Sequence, residues 1–235
     1  MISIEGVTVR YGSTPVLAGV ELAAAEGRVH GLVGRNGAGK TTLLDTLYGF
    51  VRPASGTIRF RGEPLRRRHV GYLPAESHFY PGITGREYLG VFRSGGRGFD
   101  VEAWSRVFEL PLDRLVETYS LGMRKKLALL GVLALARPVL ILDEPFNGLD
   151  LETNQLLLRL LRELADAGST ILVTSHVLGS LTGGCGEIHL LSAGRITRSF
   201  LPPDFGSIEE ALLDRETLGK LASIERLVAG SHGVG

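Results

Sequence analysis

Residues 34–41 read G-R-N-G-A-G-K-T, fit the pattern G-x-x-x-x-G-K-[ST], and follow a nearly unbroken apolar run, Val29 to Val33. Such a loop lets the backbone N–H groups of Gly34, Arg35, Asn36, Gly37, Ala38 and Gly39 curl around phosphate oxygens. Lys40 brings a positive charge to the outer phosphates. Thr41 offers a hydroxyl to a Mg²⁺ ion, and Thr42 continues the cradle into the first helical turn. Far along the chain, Leu142-Asp143-Glu144 ends another apolar run with two carboxylates. That placement is expensive unless a cation or a reacting water uses them. Asp143 suits Mg²⁺ through its water shell, and Glu144 suits the polarisation of a water attacking a terminal phosphate.

Four further sites have chemical and plainly structural readings side by side. Ser120 and Gly122, in Y-S-L-G-M, open an apolar helix whose first-turn N–H groups form a second anion site, and Ser120 is equally an ordinary helix cap. Asp150, closing N-G-L-D, is a helix cap candidate too. His176, in T-S-H, follows a strand, where a histidine is usually solvated or structural. Tyr11, in R-Y-G, sits in a turn where plain packing is the default.

Taken in order, G-R-N-G-A-G-K-T, Y-S-L-G-M, V-L-I-L-D-E-P-F-N-G-L-D and T-S-H resemble the motifs of the nucleotide-binding subunit of an ATP-binding-cassette (ABC) transporter. The resemblance covers about residues 1–200 and implies a P-loop NTPase cassette that binds ATP and Mg²⁺. By resemblance, Ser120 and Gly122 contact the ATP held by a second subunit, Asn147 to Asp150 form the loop that crosses the dimer interface, His176 faces the γ-phosphate, and Tyr11 stacks on adenine. The signature is partial: Tyr119, Leu121 and Met123 stand where the family has Leu, Gly and Gln. After V-G-Y-L-P the family has a glutamine that senses the metal, whereas this chain has Ala75-Glu76: either Glu76 substitutes as a metal ligand with an added negative charge, or the contact is missing and Glu76 is a solvated loop residue. G-Y-L-P, T-G-R-E-Y and S-x-G-M resemble exporter ATPases whose membrane subunits are separate chains. The implied partners are a transmembrane permease subunit and a second copy or paired ATPase subunit. The rival readings are a low-turnover regulatory subunit and a non-transport cassette ATPase.

The elements that must position these residues follow from hydrophobic period. Ile2, Ile4, Val7 and Val9 alternate and change phase at Gly6, which reads as two strands or one bulged strand. Val16 to Leu22 and Thr57 to Phe60 extend a β-rich edge. Val29 to Val33, Val139 to Leu142 and Thr170 to Thr174 read as strands buried on both faces. Leu151 to Ala167, with leucines at 156, 157, 160, 161 and 164 on one face, makes a βαβ crossover. Glu187 to Leu191 and Arg195 to Phe200 form a hairpin. The class is α/β, a cassette with a mixed or parallel core sheet, an antiparallel β-edge and an inserted, mostly helical subdomain at about 74–137. Thr84 with Glu87 caps Gly85 to Phe92, and Ser120 caps a helix that Arg137-Pro138 ends. The glycine-rich Arg93 to Gly98 is expected to be mobile. The cassette occupies 1–201, and 202–235 form a partly helical tail with a second capping box at Ser207 and Glu210 and amphipathic Leu212, Leu218 and Leu221.

Composition narrows the partners little. The 235 residues carry a net charge of +1 with 44% hydrophobic residues, which gives no reason to expect nucleic acid. The longest apolar run, Leu127 to Ala136, falls short of the roughly 20 residues that span a bilayer. The start lacks a secretory pattern and Cys185 is alone, so the expectation is a cytoplasmic protein, peripheral on the inner membrane face through its partner. Phe79, Tyr80 and Tyr88 are candidates for a groove receiving a membrane-subunit helix or for subdomain core. Arginines 59, 61, 66, 67 and 68 read as a solvated face. The histidines at 30, 69, 78, 189 and 232 show no metal-ligand spacing with Cys185.

Overall fold

The computed structural model describes residues 1–92, 98–213 and 223–224. The first strand, β1 (Ile2–Tyr11), pairs antiparallel with β2 (Thr14–Ala24) on one side and β4 (Ser55–Phe60) on the other, and β5 (Glu63–Pro64) closes the edge. The phase change at Gly6 is a bulge: the register shifts between Ile4 and Val7, and Gly6 takes φ +62°. One extra residue turns Val7 and Val9 to the same buried side as Ile2 and Ile4.

Six strands make the second sheet, in the order β10-β9-β3-β8-β7-β6. They are β3 (Arg28–Val33), β6 (Val70–Leu73), β7 (Val139–Leu142), β8 (Thr170–Thr174), β9 (Glu187–Ser192) and β10 (Arg195–Phe200). All neighbours are parallel except β9 and β10, the hairpin expected around S-A-G. Both faces are covered, so apolar residues alternate between two cores instead of between core and solvent. Val139, Ile141 and Leu172 face the antiparallel sheet and α1 (Lys40–Tyr48), whereas Leu140, Leu142, Ile171 and Val173 face the helices on the other side.

Those helices are α2 (Gly85–Phe92), α3 (Val101–Val107), α4 (Leu121–Ala134) and α5 (Leu151–Asp166), with the short α6 (Leu178–Thr182) and α7 (Ile208–Leu212) following. The run β7, α5, β8 is the expected crossover. Its buried stripe is shifted from the expected one: Leu157, Leu160 and Leu161 are buried together with Leu158, while Leu156 is 39% exposed. The sheet is wide enough to cover an adjacent helical row, so the stripe is broader than a single line of leucines and centred differently. The Thr84–Glu87 box forms in both directions, with Thr84 N donating to Glu87 Oε2 at 2.8 Å and Glu87 N donating to Thr84 Oγ1 at 3.2 Å. Helix α4 stops at Ala134, short of Arg137-Pro138, because Ala136 takes a left-handed φ of +48°. Phe79, Tyr88 and Phe92 join in a row of ring contacts at 4.8 and 5.0 Å against the core, while Tyr80 is exposed. The arginine face is partly tied down: Arg61 pairs with Glu26, and Arg67 donates to the Gly49 carbonyl and lies over the Tyr48 and Phe50 rings.

The chain beyond residue 201 begins as part of the fold, since Phe205 and Ile208 are buried in the helix-side core. The second capping box does not form. Ser207 has helical dihedrals, at the end of a 3₁₀ turn (Pro202–Ser207), and its hydroxyl donates back to the Asp204 carbonyl at 2.8 Å. A cap needs an extended residue at that point, and the turn removes it. Leu218, Leu221, His232 and the glycine-rich loop except Gly98 lie outside the described residues. Among the described residues, no helix is long and apolar enough to cross a membrane.

Gly90, in α2, has ordinary helical backbone and open space around its missing side chain. Gly90→Ala is expected to stabilise the protein by about 0.5–1 kcal/mol, read as a rise in Tm of a few degrees, because only backbone entropy changes.

Candidate functional site

The phosphate-binding loop leaves β3 at Val33 and enters α1 at Lys40. Two of its glycines have backbone conformations that a side chain resists: Gly37 at φ +79° and Gly39, the residue before α1, at φ +104°. A Cβ at Gly39 would also lie 2.9 Å from the Leu17 side chain, so the loop is pressed against β2. The Lys40 ammonium folds onto the carbonyls of Gly34 (2.7 Å) and Arg35 (3.3 Å). Burial lowers its pKa, and the carboxylates of Glu144 and Asp143 oppose that shift.

Strand β7 delivers the two carboxylates. Asp143 N extends the ladder to Leu73 of β6 at 2.8 Å, which fixes the point where the strand ends. Asp143 then accepts from two hydroxyls, Thr41 Oγ1 at 3.0 Å and Thr174 Oγ1 at 2.6 Å. Thr174 ends β8, and its hydroxyl in turn accepts from the Glu144 N–H at 2.9 Å. Glu144 takes φ +51°, a conformation costly for a residue with a side chain, and it persists here because Leu73 and Thr174 hold Asp143 and the Glu144 N–H. One Glu144 oxygen, Oε2, accepts from the His176 N–H at 3.1 Å. The other, Oε1, is buried without a hydrogen bond, although His176 Nε2 lies 3.2 Å away at an unfavourable angle.

These residues share one cavity of about 470 Å³, lined by Tyr11, Asn36, Gly37, Lys40, Thr41, Asp143, Glu144 and His176 among others. The tertiary structure thus gathers the glycine loop, both carboxylates, the histidine and the turn tyrosine around one open hollow. Tyr11 is 55% exposed at its rim, consistent with a flat ring offered to a ligand instead of to the core. Arg35 and Ala38 lie on the outer side of the loop, with Leu191 and Leu212. Gly34 is packed tightly under the loop. Thr41 and Asp143 supply the hard oxygen donors that Mg²⁺ takes, and their direct hydrogen bond at 3.0 Å sets the two oxygens side by side.

Ser120, Gly122 and Asp150 are not in that hollow. Ser120 caps α4 through the Met123 N–H at 3.2 Å, and Asp150 caps α5 through the Thr153 N–H at 2.7 Å. The backbone N–H of Thr153 also holds the Asp150 carboxyl below its usual pKa. The two segments touch each other, since a Cβ on Gly122 would lie 3.0 Å from the Gly148 carbonyl. Glu76 is exposed and does not line the cavity; its neighbour Ala75 does. Sequence reasoning missed Lys125, an α4 residue only 7% exposed, whose ammonium donates to the Ala75 carbonyl at 2.6 Å. Burial lowers its pKa, while Asp143, Glu144 and Glu76 raise it. Its place inside an otherwise apolar helix face was the available signal.

A family model described as ABC transporter matches residues 17–147. The chain is 37% identical over 211 residues to the Nod factor export ATP-binding protein I of Paraburkholderia xenovorans, covering 83% of this chain and 68% of that protein. It is 34% identical to the ABC transporter ATP-binding protein YtrB of Bacillus subtilis, covering 84% and 70%. The chain therefore spans about two thirds of the length of these curated relatives. Among solved structures, an ATP-binding subunit of an ABC transporter superposes with a TM-score of 0.82 at 26% identity, covering 90% of this chain and 94% of that one. A dimeric cassette in a post-hydrolysis state with ADP and Pi shares the fold, with a TM-score of 0.76 at 22% identity, covering 86% and 99%. With the phosphate loop, the paired carboxylates and the histidine around one hollow, the chain belongs to the ABC transporter family, as an ATP-binding, ATP-hydrolysing subunit.

Proposed function

We propose that the protein hydrolyses Mg-ATP to drive an exporter, docked on the inner membrane face through a permease made as a separate chain. The observation that carries the chemistry is Glu144 Oε1, a buried carboxylate oxygen without a hydrogen bond, beside the phosphate loop. A water between it and a γ-phosphate would satisfy that oxygen and be polarised by it. Thr41 and Asp143 would hold the metal, which supplies charge neutralisation at the outer phosphates. Lys40 neutralises the same oxygens, the loop N–H groups bind them, and His176 orients Glu144 through its backbone and faces the phosphate with its ring. Tyr11 stacks on the base.

Ser120, Gly122 and Asp150 would act across a head-to-tail dimer, because none of them lines the cavity of its own chain. Three large apolar side chains beside these motifs are exposed, Leu121, Leu151 and Val177, which suits a surface completed by a second subunit. The export direction rests on relatives named for Nod factor export. Purifying the tagged chain from membranes in mild detergent is expected to recover a polytopic subunit in stoichiometric amount. Recovery of the chain alone would count against the transport reading. Ala75 and the partial signature favour the low-turnover regulatory reading as the second choice, and measured Mg-dependent ATP turnover rejects it.

Lys125 would act as a positioning residue, tying the loop at Ala75 to α4 and so linking the metal end of the cavity to the signature helix. Lys125→Met is expected to lower kcat about tenfold with ATP affinity little changed, and to cost about 1–3 kcal/mol from the unpaired carbonyl and lost charge contacts. Steady-state kinetics with thermal melts check both; unchanged kcat in a destabilised protein would leave Lys125 a purely structural strut.

A further inference from the structure

We infer that this chain carries a second, separate cation site, for a divalent transition ion of the zinc class, built from His30, Glu187 and His189. The three ligand atoms lie within 4.8 Å of one another. His30 Nδ1 is 3.1 Å from His189 Nε2 and 3.6 Å from Glu187 Oε2. Ligands about 2.0–2.2 Å from a tetrahedral zinc ion stand roughly 3.3–3.5 Å apart, close to the two distances from His30 Nδ1. Imidazole donors select zinc-class ions over Mg²⁺, which separates this site from the phosphate cavity.

Strand register explains the cluster. His30 of β3 pairs with Glu187 of β9, and His189 lies two residues further on β9, so all three project from one sheet face. His30 and His189 are 1% and 2% exposed, and Glu187 is intermediate, beside an opening of about 580 Å³ that also reaches Glu5, Glu21 and Ser199. A ligand water can occupy the fourth position from that side.

Each outer nitrogen already has a polar partner of the kind a metal-bound imidazole uses. His30 Nε2 donates to the Ala25 carbonyl at 3.1 Å, which leaves Nδ1 with its lone pair free. His189 Nδ1 is 2.7 Å from Ser199 Oγ. Without an ion, Ser199 donates to His189 Nδ1, and His189 Nε2 donates to His30 Nδ1. Ion uptake moves the His189 proton from Nε2 to Nδ1, and the Ser199 hydroxyl turns to accept it. No net proton is released by the two histidines, and Glu187 Oε2, 3.7 Å from Arg28, would supply the third ligand atom. The ion would pin β3 to β9 below the phosphate loop.

The test uses the whole chain, free of nucleotide and Mg²⁺. One equivalent of Co²⁺ is expected to give the visible bands of a low-coordinate site, and Zn²⁺ to displace it. Zn²⁺ at about 100 times its Kd is expected to raise Tm by about 5–10 °C. Glu187→Gln, at a partly exposed position that folding tolerates, is expected to weaken Co²⁺ binding at least tenfold, and His189→Gln to abolish the bands. His176→Ala, which alters the phosphate cavity, is expected to keep them. Wild-type Co²⁺ affinity in Glu187→Gln, or bands lost in His176→Ala, overturns the site.

Discussion

Glu144→Gln is expected to slow ATP turnover by about 10²–10⁴-fold while leaving ATP affinity within a few-fold. The replacement has the same shape, and its amide oxygen can still accept from the His176 N–H that holds Oε2 at 3.1 Å. What disappears is the charge on the buried oxygen without a hydrogen bond, the carboxylate placed to draw a proton from water. Thr41, Asp143 and Lys40 are untouched, so nucleotide still binds. Because turnover no longer removes ATP, the head-to-tail dimer should accumulate and appear in light scattering with ATP. Wild-type turnover would remove Glu144 from the chemistry. A monomer with ATP, alone and with the membrane subunit, would remove the dimer.

Gly34→Ala is expected to cost both stability and nucleotide binding through a single methyl group. A Cβ at Gly34 would lie 2.3 Å from the Leu191 carbonyl oxygen and 3.3 Å from the Ala38 side chain. The first contact is with backbone, and that backbone is fixed because β9 pairs with β3 on one side and β10 on the other. Relief requires the phosphate loop to lift from the sheet, which also misplaces its N–H groups. The expected cost is about 2–3 kcal/mol, seen as a Tm lower by about 5–10 °C, together with loss of ATP binding by titration calorimetry. Gly37→Ala is the informative contrast: it meets nothing within 4 Å and has only a φ of +79° to overcome, so its cost is about 1 kcal/mol. Equal melting temperatures for the two variants would show that the Gly34 contact relaxes without cost.

The glycine loop, the carboxylate pair and the strands that carry them were legible in the sequence because each is a local pattern. Period two, period 3.6 and the fixed spacing of G-x-x-x-x-G-K-[ST] report backbone geometry within a few residues. The bulge at Gly6 and the Thr84–Glu87 box were legible for the same reason. The Ser207 box was misread because its local pattern is right but the preceding 3₁₀ turn sets the wrong backbone. The leucine stripe of α5 was misread at Leu156 and Leu158, where the shape of the facing sheet decides which flank is buried.

Sequence by itself thus determined the family, the class of fold and the residues able to handle phosphate, all of which are written in short-range spacing. Only the tertiary structure decided which of them meet. It placed Tyr11 and His176 in the cavity with Lys40 and Glu144, left Glu76 outside it, and set Lys125 against Ala75 across fifty positions of chain. It also brought His30 to His189, a pair 159 positions apart whose contact no spacing rule can reveal. The physical reason is strand order: β3 lies between β8 and β9, so residues from the beginning and end of the cassette share one sheet face.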